Sequence, residues 1–337
     1  MSGIRGASRR AITLSDPLVV AKPMFDGESR PPLVFSPTRE GVDLAEWATE
    51  HLSEILQQLQ VYGALLFRGF PIESAGQFEL AAGSLAPEGL FGDYGDLPRQ
   101  SASEKIFHST PYPEDLAIHF HNESSHMSSW PLHIFFYCAI AAQESGETPV
   151  LDCRALCREL DVDVFEEFSR KGLTYVRNFS EGIDVPWQSF FGTEDRATVE
   201  AQCREAGTGC EWLDENKLRI SQDAAAVRIH PISGEPVFFN QVLLHHPAAL
   251  PAATRAALLE LYAEDCLPRL VTFGDGTPIP DDVVNYLESC FEARALRFKW
   301  QPNDILMLDN MLVSHGRDPF VGPRKILVAM SDMIEGA

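Results

Sequence analysis

Basic residues are scarce in this chain: 27 Lys and Arg stand against 49 Asp and Glu, a formal net charge of -22. Nucleic acid and anionic membranes both repel so acidic a chain, which excludes them as general partners; a local basic patch escapes the count. No C-x-x-C pair occurs among the seven cysteines, and their number is odd. That excludes a zinc ribbon and a simple disulfide framework. Cys153 and Cys157 lie one helical turn apart and suit a helix face, so a reduced, cytoplasmic protein is expected. No apolar run approaches the ~20 residues that cross a bilayer. Arg5, Arg9 and Arg10 precede a segment broken by Ser15, Asp16 and Pro17, a poor signal peptide. Internal repeats, heptads and low-complexity tracts are also missing. What the chain does have is apolar: at 45% hydrophobic and 10% aromatic residues it can bury a sizeable core, which excludes global disorder.

Length alone allows one large domain or two. Residues 1 to about 40, rich in Pro, read as a loose arm with a strand at Pro17–Ala21. Asp43 caps an expected helix through LAEWATEHLSEILQQLQ, where Leu44, Trp47, Leu52, Ile55 and Leu59 fall near helical spacing. His51 on that helix has no candidate metal ligand near it in the sequence and reads as a surface histidine. YGALLFRGF fits a buried strand and SAGQFELAAGSLA a short helix. The Gly/Pro-rich loop that follows is long enough to be functional, and Arg99, His108 and Tyr112 in it are candidates for facing a pocket. WPLHIFFYC, KGLTYVRNF, LRISQ, AVRIHP, EPVFFNQ, RFKW, DILMLD, MLVSH and KILVAMSD read as strands. CRALCRELDVDVFEEFSRKG, 194–205, PAATRAALLELYAEDCL and DDVVNYLESCFEARA read as helices, and PWQSFFGTED as a loop.

Strands before and after a helical middle do not alternate as in a doubly wound sheet. They predict a mainly β fold with helical insertions, a double-stranded β-helix or jelly-roll core divided by an insertion over about 153–295. One domain covering 1–337 is expected.

The chemistry concentrates in AIHFHNESSHMSSWPLHIFFYC. On a strand the side chains repeat every second position, so His119, His121 and Glu123 share a face. His121 and Glu123 supply two thirds of a 2-His-1-carboxylate facial triad, and His315, in LDNMLVSHGRDPFVGPRK, supplies the third donor. Alone, His121 and Glu123 read more readily as a buried hydrogen-bonded pair, and the downstream pattern around His315 reverses that reading. A closed zinc site drawn from His119, His121, Glu123 and His126 is a second alternative, weakened by the lack of Cys and of H-E-x-x-H. Arg324 follows His315 beyond the turn PFVGP, where a guanidinium can grip a carboxylate through two parallel hydrogen bonds. Thr148 offers a hydroxyl to the same carboxylate.

HNESSHMSSWP, FFYC, GETPVLDCR, YVRNF, HPISGEPVFFNQ, PRLVTFGDGTPI and LDNMLVSHGRDPFVGPRKILVAM closely resemble the taurine dioxygenase-like (TauD/TfdA) Fe(II)/2-oxoglutarate oxygenases. Within these the chain looks most like the syringomycin-type aspartate β-hydroxylases of non-ribosomal peptide pathways. The resemblance runs from about Tyr62 to Met330. It implies His121, Glu123 and His315 as iron ligands, and Arg324 with Thr148 as the anchor of the 2-oxoglutarate C5 carboxylate. O2 is the other co-substrate. Ser145 and Asn303 stand where relatives carry glycine, changes to turns and not to ligands.

The implied reaction is hydroxylation of an unactivated C–H bond in an amino-acid-like small molecule, free or tethered to a peptidyl carrier protein, in natural-product biosynthesis. Desaturation or epoxidation, or a non-catalytic metal-binding jelly roll, are the alternatives. Asn122, His126, Asn240 and Gln241 are candidates for lining the substrate pocket, each also readable as a structural hydrogen-bonding residue. No nucleic acid or membrane partner is expected.

Overall fold

In the computed structural model, which describes residues 17–26, 30–92, 105–109, 112–179 and 185–336, the chain enters as two paired strands, β1 (Val19–Pro23) and β2 (Leu33–Pro37). The loose arm expected through residue 40 is therefore corrected from Pro17 onward. Pro23 and Pro37 stand at strand ends, where a missing N–H costs little, and Val19 and Phe35 are fully buried. Helix α1 (Leu44–Tyr62) starts where Asp43 accepts a hydrogen bond from the Glu46 amide at 3.0 Å. It stops at Gly63, whose φ of 73° is the left-handed conformation that only glycine adopts freely. β3 (Ala64–Phe67), α2 (Ala75–Leu85), β4 (Phe107–His108), β5 (Ile118–His121), β6 (Ser129–Ile140), β7 (Glu144–Ser145) and β8 (Val150–Asp152) complete the first half.

The insertion then begins. The single helix expected from Cys153 is two, α3 (Cys153–Glu159) and α4 (Val162–Lys171), because Asp161 starts a new helix by accepting from the Asp163 and Val164 amides. After β9 (Leu173–Phe179) comes α5 (Trp187–Phe191), in the segment expected to be a loop, and then α6 (Arg196–Glu205). β10 (Gly209–Trp212), β11 (Leu218–Ala224), β12 (Val227–Ile229), β13 (Pro236–Phe238), α7 (Val242–His245), α8 (Ala252–Leu261), β14 (Arg269–Phe273) and α9 (Asp281–Arg294) follow. RFKW is not a strand. Leu296 makes one isolated bridge to Val150, while Phe298 and Trp300 are buried in the core, so their alternation comes from packing and not from a ladder. β15 (Ile305–Asp309), β16 (Val313–Arg317), β17 (Phe320–Val321) and β18 (Lys325–Glu335) return to the barrel.

Seven strands form the main sheet in the order β1-β2-β3-β15-β6-β18-β4, and β5-β16-β8 form a smaller one. The period of two sorts their side chains into different cores. Phe135, Tyr137, Ile305, Met307, Leu327 and Ala329 point to the α1 and α2 side. Their neighbours Ile134, Phe136, Leu306, Leu308, Ile326 and Val328 point inward and meet Val150 and Val313 of the small sheet. The central strands are thus buried on both faces, which is why they read as continuous apolar runs. This is the expected double-stranded β-helix, mainly β with helical insertions. The insertion builds its own core around Phe168, Tyr175, Phe238 and Phe291, packed on Phe120 and Leu151 beside the small sheet.

The turn between β15 and β16 is held from below. The fully buried Asp309 accepts from His230 Nε2 at 3.0 Å, Gln60 Nε2 at 3.2 Å, and the Met311 and Leu312 amides at 3.0 Å each. Burial opposes its ionisation, but the hydrogen bonds from His230 and the turn amides outweigh it and hold the carboxyl below its usual range. His230 Nδ1 accepts from the Ser233 amide at 3.0 Å, so the proton that meets Asp309 sits on Nε2.

Candidate active site

Strands β5 and β16 run antiparallel with His121 directly opposite His315, their ring centroids 4.4 Å apart. Glu123 lies two residues beyond His121, in a turn where Ser124 takes a φ of 55°. Nitrogens of the two imidazoles and a carboxylate oxygen of Glu123 all fall within 4.8 Å of one another, and no other such group occurs among the described residues. His121 Nδ1 lies 2.8 Å from the His119 carbonyl. A carbonyl only accepts, so Nδ1 carries the proton and Nε2 offers its lone pair, 4.0 Å from Glu123 Oε2. Past His315 the pairing with β5 is irregular, and a Cβ on Gly316 would meet the Ile118 carbonyl at 2.7 Å. Only glycine lets the backbones that carry His121 and His315 approach this closely.

Glu123 is held through its backbone. The Asn310 side chain accepts from the Glu123 amide at 2.8 Å and donates to the Glu123 carbonyl at 3.0 Å and the Pro131 carbonyl at 2.9 Å. One fully buried amide therefore fixes both backbone groups of the carboxylate residue, and Asn310 follows directly on the anchored Asp309. Asn310→Asp keeps the acceptor but loses both donated bonds. It is expected to weaken Fe(II) or Mn(II) binding about 10–100-fold, measured by calorimetry, with circular dichroism unchanged. Affinity equal to wild type would show that the clamp does not position Glu123.

The three donors open on a cavity of about 950 Å³. Thr148 and Arg324, expected to share a carboxylate, both line it. Thr148 Oγ1 accepts from Trp300 Nε1 at 3.1 Å, which leaves its own hydroxyl proton to donate. Arg324 Nε donates to the Gly146 carbonyl at 3.0 Å and its guanidinium lies over the Phe320 ring, while its terminal nitrogens have no hydrogen-bond or ion-pair partner among the described residues. Burial, and next the neighbouring Arg317, push this guanidinium down to about 10. Arg317 also lines the cavity, but its terminal nitrogens donate to the Tyr112, Pro113 and Leu116 carbonyls, so it ties down the 112–116 loop.

Of the four residues expected at the pocket wall, Gln241 lines it, with Nε2 donating to the Asn122 carbonyl at 3.0 Å. Asn122 is buried beneath, its amide donating to the Asn310 carbonyl at 2.6 Å and the Val313 carbonyl at 3.3 Å. Asn240 braces α7, accepting from the Val242 amide and donating to the Ala226 carbonyl. His126 packs its ring against Tyr175 and His245 and does not join the donor group. His119 lines the cavity with Nδ1 3.4 Å from Glu288, so the zinc alternative finds no third donor there. Tyr112 lines the cavity, His108 sits in β4 and Arg99 lies outside the described residues. His51 bonds the Trp47 carbonyl and stacks on its ring. Sequence reading passed over Asn310 and Trp300, whose partners are distant in the chain, and gave Arg317 no role although it stands two residues from His315.

Comparison with known proteins decides the class of this site. The model of the taurine catabolism dioxygenase TauD, TfdA family matches residues 28–330. The chain belongs to that family. A TauD/TfdA enzyme is a dioxygenase that uses Fe(II), 2-oxoglutarate and O2, and two imidazoles with one carboxylate are the donor set that suits such an iron. The chain is 37% identical over 314 residues to the dapdiamide synthesis protein DdaC of Enterobacter agglomerans, covering 93% of this chain and 94% of that one. It is 29% identical to a clavaminate synthase-like protein of Arabidopsis thaliana, over 90% and 94% of the two chains.

Among solved structures it shares its fold with PvcB of Pseudomonas aeruginosa, at a TM-score of 0.55 and 13% identity over 95% and 93% of the chains. AAD-2, crystallised with Mn(II) and N-oxalylglycine, gives 0.52 and 15% over 94% and 98%. In this TauD/TfdA dioxygenase Ser145 and Asn303 adopt φ of 56° and 73°. The turns thus keep the backbone that glycine favours, Asn303 being a residue that tolerates it. No helix among the described residues is long and apolar enough to cross a membrane.

Proposed function

We propose that this TauD/TfdA dioxygenase hydroxylates an unactivated C–H bond of an amino-acid-like substrate, free or tethered to a carrier protein, in natural-product biosynthesis. The observation that carries the reading is the meeting of His121, Glu123 and His315 on a cavity that also presents Thr148 and the free guanidinium nitrogens of Arg324. In it His121, Glu123 and His315 hold the iron, and Arg324 with Thr148 takes the C5 carboxylate of 2-oxoglutarate. The bound iron supplies the oxidising power released when 2-oxoglutarate and O2 become succinate and CO2. The chain contributes position and dryness: the clamp on Glu123, the fixed tautomer of His121, and apolar walls from Phe136, Ile326 and Val328 that exclude water. The likeness to a dapdiamide synthesis protein supports the natural-product setting. We further read the chain as one cytoplasmic domain, its cysteines all free and its two cores sharing the main sheet.

Succinate release across free amino acids, and the same amino acids loaded on a carrier protein, tests the reading. One member of the panel is expected to give succinate together with a product heavier by one oxygen. Glu123 fills the coordination place that a chloride would need, so chloride buffer is expected to leave the product unchlorinated. A chlorinated product, or no succinate with any amino acid in either form, would overturn the proposal. A product lighter by two hydrogens would replace hydroxylation with desaturation.

A further inference from the structure

The cavity wall provided by the insertion carries a cation that the proposed reaction does not use. Arg269 opens β14, beside Leu267 and Pro268, and all three line the cavity. The strand start is rigid: the Asn178 amide nitrogen donates to the Pro268 carbonyl at 2.9 Å, and its side chain to the Leu267 carbonyl at 2.7 Å. Arg219 Nε holds the Asn178 side-chain oxygen in turn, at 2.8 Å. The half-buried guanidinium of Arg269 nevertheless has no hydrogen bond, ion pair or ring contact with any described residue. Across the ladder it faces another arginine, Arg177, which lies over the rings of Phe179 and Phe190. Like charges directly opposite on paired strands give Arg269 no support from across the ladder.

Among the described residues nothing on the cavity wall is an uncommitted anion for Arg269. The carboxylates among its lining residues are Glu123, in the metal group, and Glu288, beside His119. The other two lining arginines are committed, Arg317 to three carbonyls and Arg324, in the reading above, to 2-oxoglutarate. In a chain of net charge -22 a spare cation inside a cavity also concentrates anions there.

We propose that Arg269 binds an anionic group of the substrate, so that the enzyme selects acceptors carrying a second negative charge besides that of 2-oxoglutarate. This rests on the dioxygenase reading and deepens it. The anion is either a carboxylate of the substrate itself or the phosphate of a phosphopantetheine arm. Both present oxygens that a guanidinium grips through two hydrogen bonds.

Anaerobic calorimetry on wild type and on Arg269→Gln and Arg269→Lys, each loaded with Fe(II) and 2-oxoglutarate, tests it. The probes come in charged and neutral pairs: aspartate with asparagine, glutamate with glutamine, and an aminoacyl phosphopantetheine with its pantetheine counterpart. The charged member of one pair is expected to bind wild type at least about tenfold more tightly than its neutral partner. Arg269→Gln is expected to erase that difference and Arg269→Lys to restore part of it. Preference within the amino-acid pairs assigns a carboxylate; preference within the last pair assigns a phosphate. If no charged member out-binds its partner, or if Arg269→Gln keeps the preference, the proposal fails. The visible band formed with Fe(II) and 2-oxoglutarate reports separately on the underlying reading: its absence from wild type would sink that reading, and its presence in all three proteins isolates the effect to the substrate.

Discussion

Replacing His121 or His315 by alanine is expected to abolish the weak visible band that Fe(II) and 2-oxoglutarate develop together without oxygen, and with it all succinate formation. Each substitution removes a nitrogen donor from a group in which three side chains gather within 4.8 Å. The two remaining donors cannot hold the ion and its chelating co-substrate in one geometry. The loss should be local. His121 is partly buried on a short strand and His315 packs edge-on against Phe136, at 5.1 Å between centroids, so a small residue in either place leaves the ladder between β5 and β16 intact. Circular dichroism and the melting temperature of the metal-free protein are the controls. A folded His315→Ala protein that still shows the band would remove His315 from the metal site, and the same result for His121 would remove His121 from it.

Arg324→Leu is expected to raise the 2-oxoglutarate concentration needed for the band by at least about thirtyfold. The melting temperature of the metal-free protein should stay within about 3 °C of wild type. The two halves of this prediction have different causes. Without a bound carboxylate the Arg324 charge is disfavoured by burial and by Arg317, which partly offsets the bond from Nε to the Gly146 carbonyl. Removing both costs little net. In the proposed binding mode the same charge meets the 2-oxoglutarate carboxylate in a partly desolvated site, where a pair of parallel hydrogen bonds contributes most. Metal and 2-oxoglutarate together should accordingly raise the melting temperature of wild type and leave that of the variant where it was. An unaltered 2-oxoglutarate requirement would reassign the carboxylate to another arginine, with Arg269 then the first to test.

What the sequence disclosed and what it withheld divide by the range of the interactions. His121 and Glu123 were legible because strand periodicity acts between residues two apart, and the α1 start because Asp43 bonds an amide three residues on. Asn303 in its turn is local in the same sense. Asn122, Asn240 and Asn310 carry one side-chain chemistry and yet do three different things, set by carbonyls and amides brought in from elsewhere. Asn122 meets Asn310 across 188 positions, a pairing that no window of sequence contains. RFKW failed for a related reason. Alternating apolar residues report which side is buried, and a coil crossing a core can bury Phe298 and Trp300 as well as a strand can. The Asp161 helix start was local and was missed, because the apolar period runs through it from α3 into α4.

The pairing of His121 with His315 also sets a clock on the protein's birth. Ser314 Oγ reaches the His121 carbonyl across 193 positions, so more than half of the chain is made between one half of the proposed iron pocket and the other. At ordinary synthesis speeds that interval is about 10–40 s, during which His121 and Glu123 stand ready without their third companion. With the third donor still unmade, a nascent chain offers only two of the proposed donors, so iron loading is expected to follow synthesis of β16.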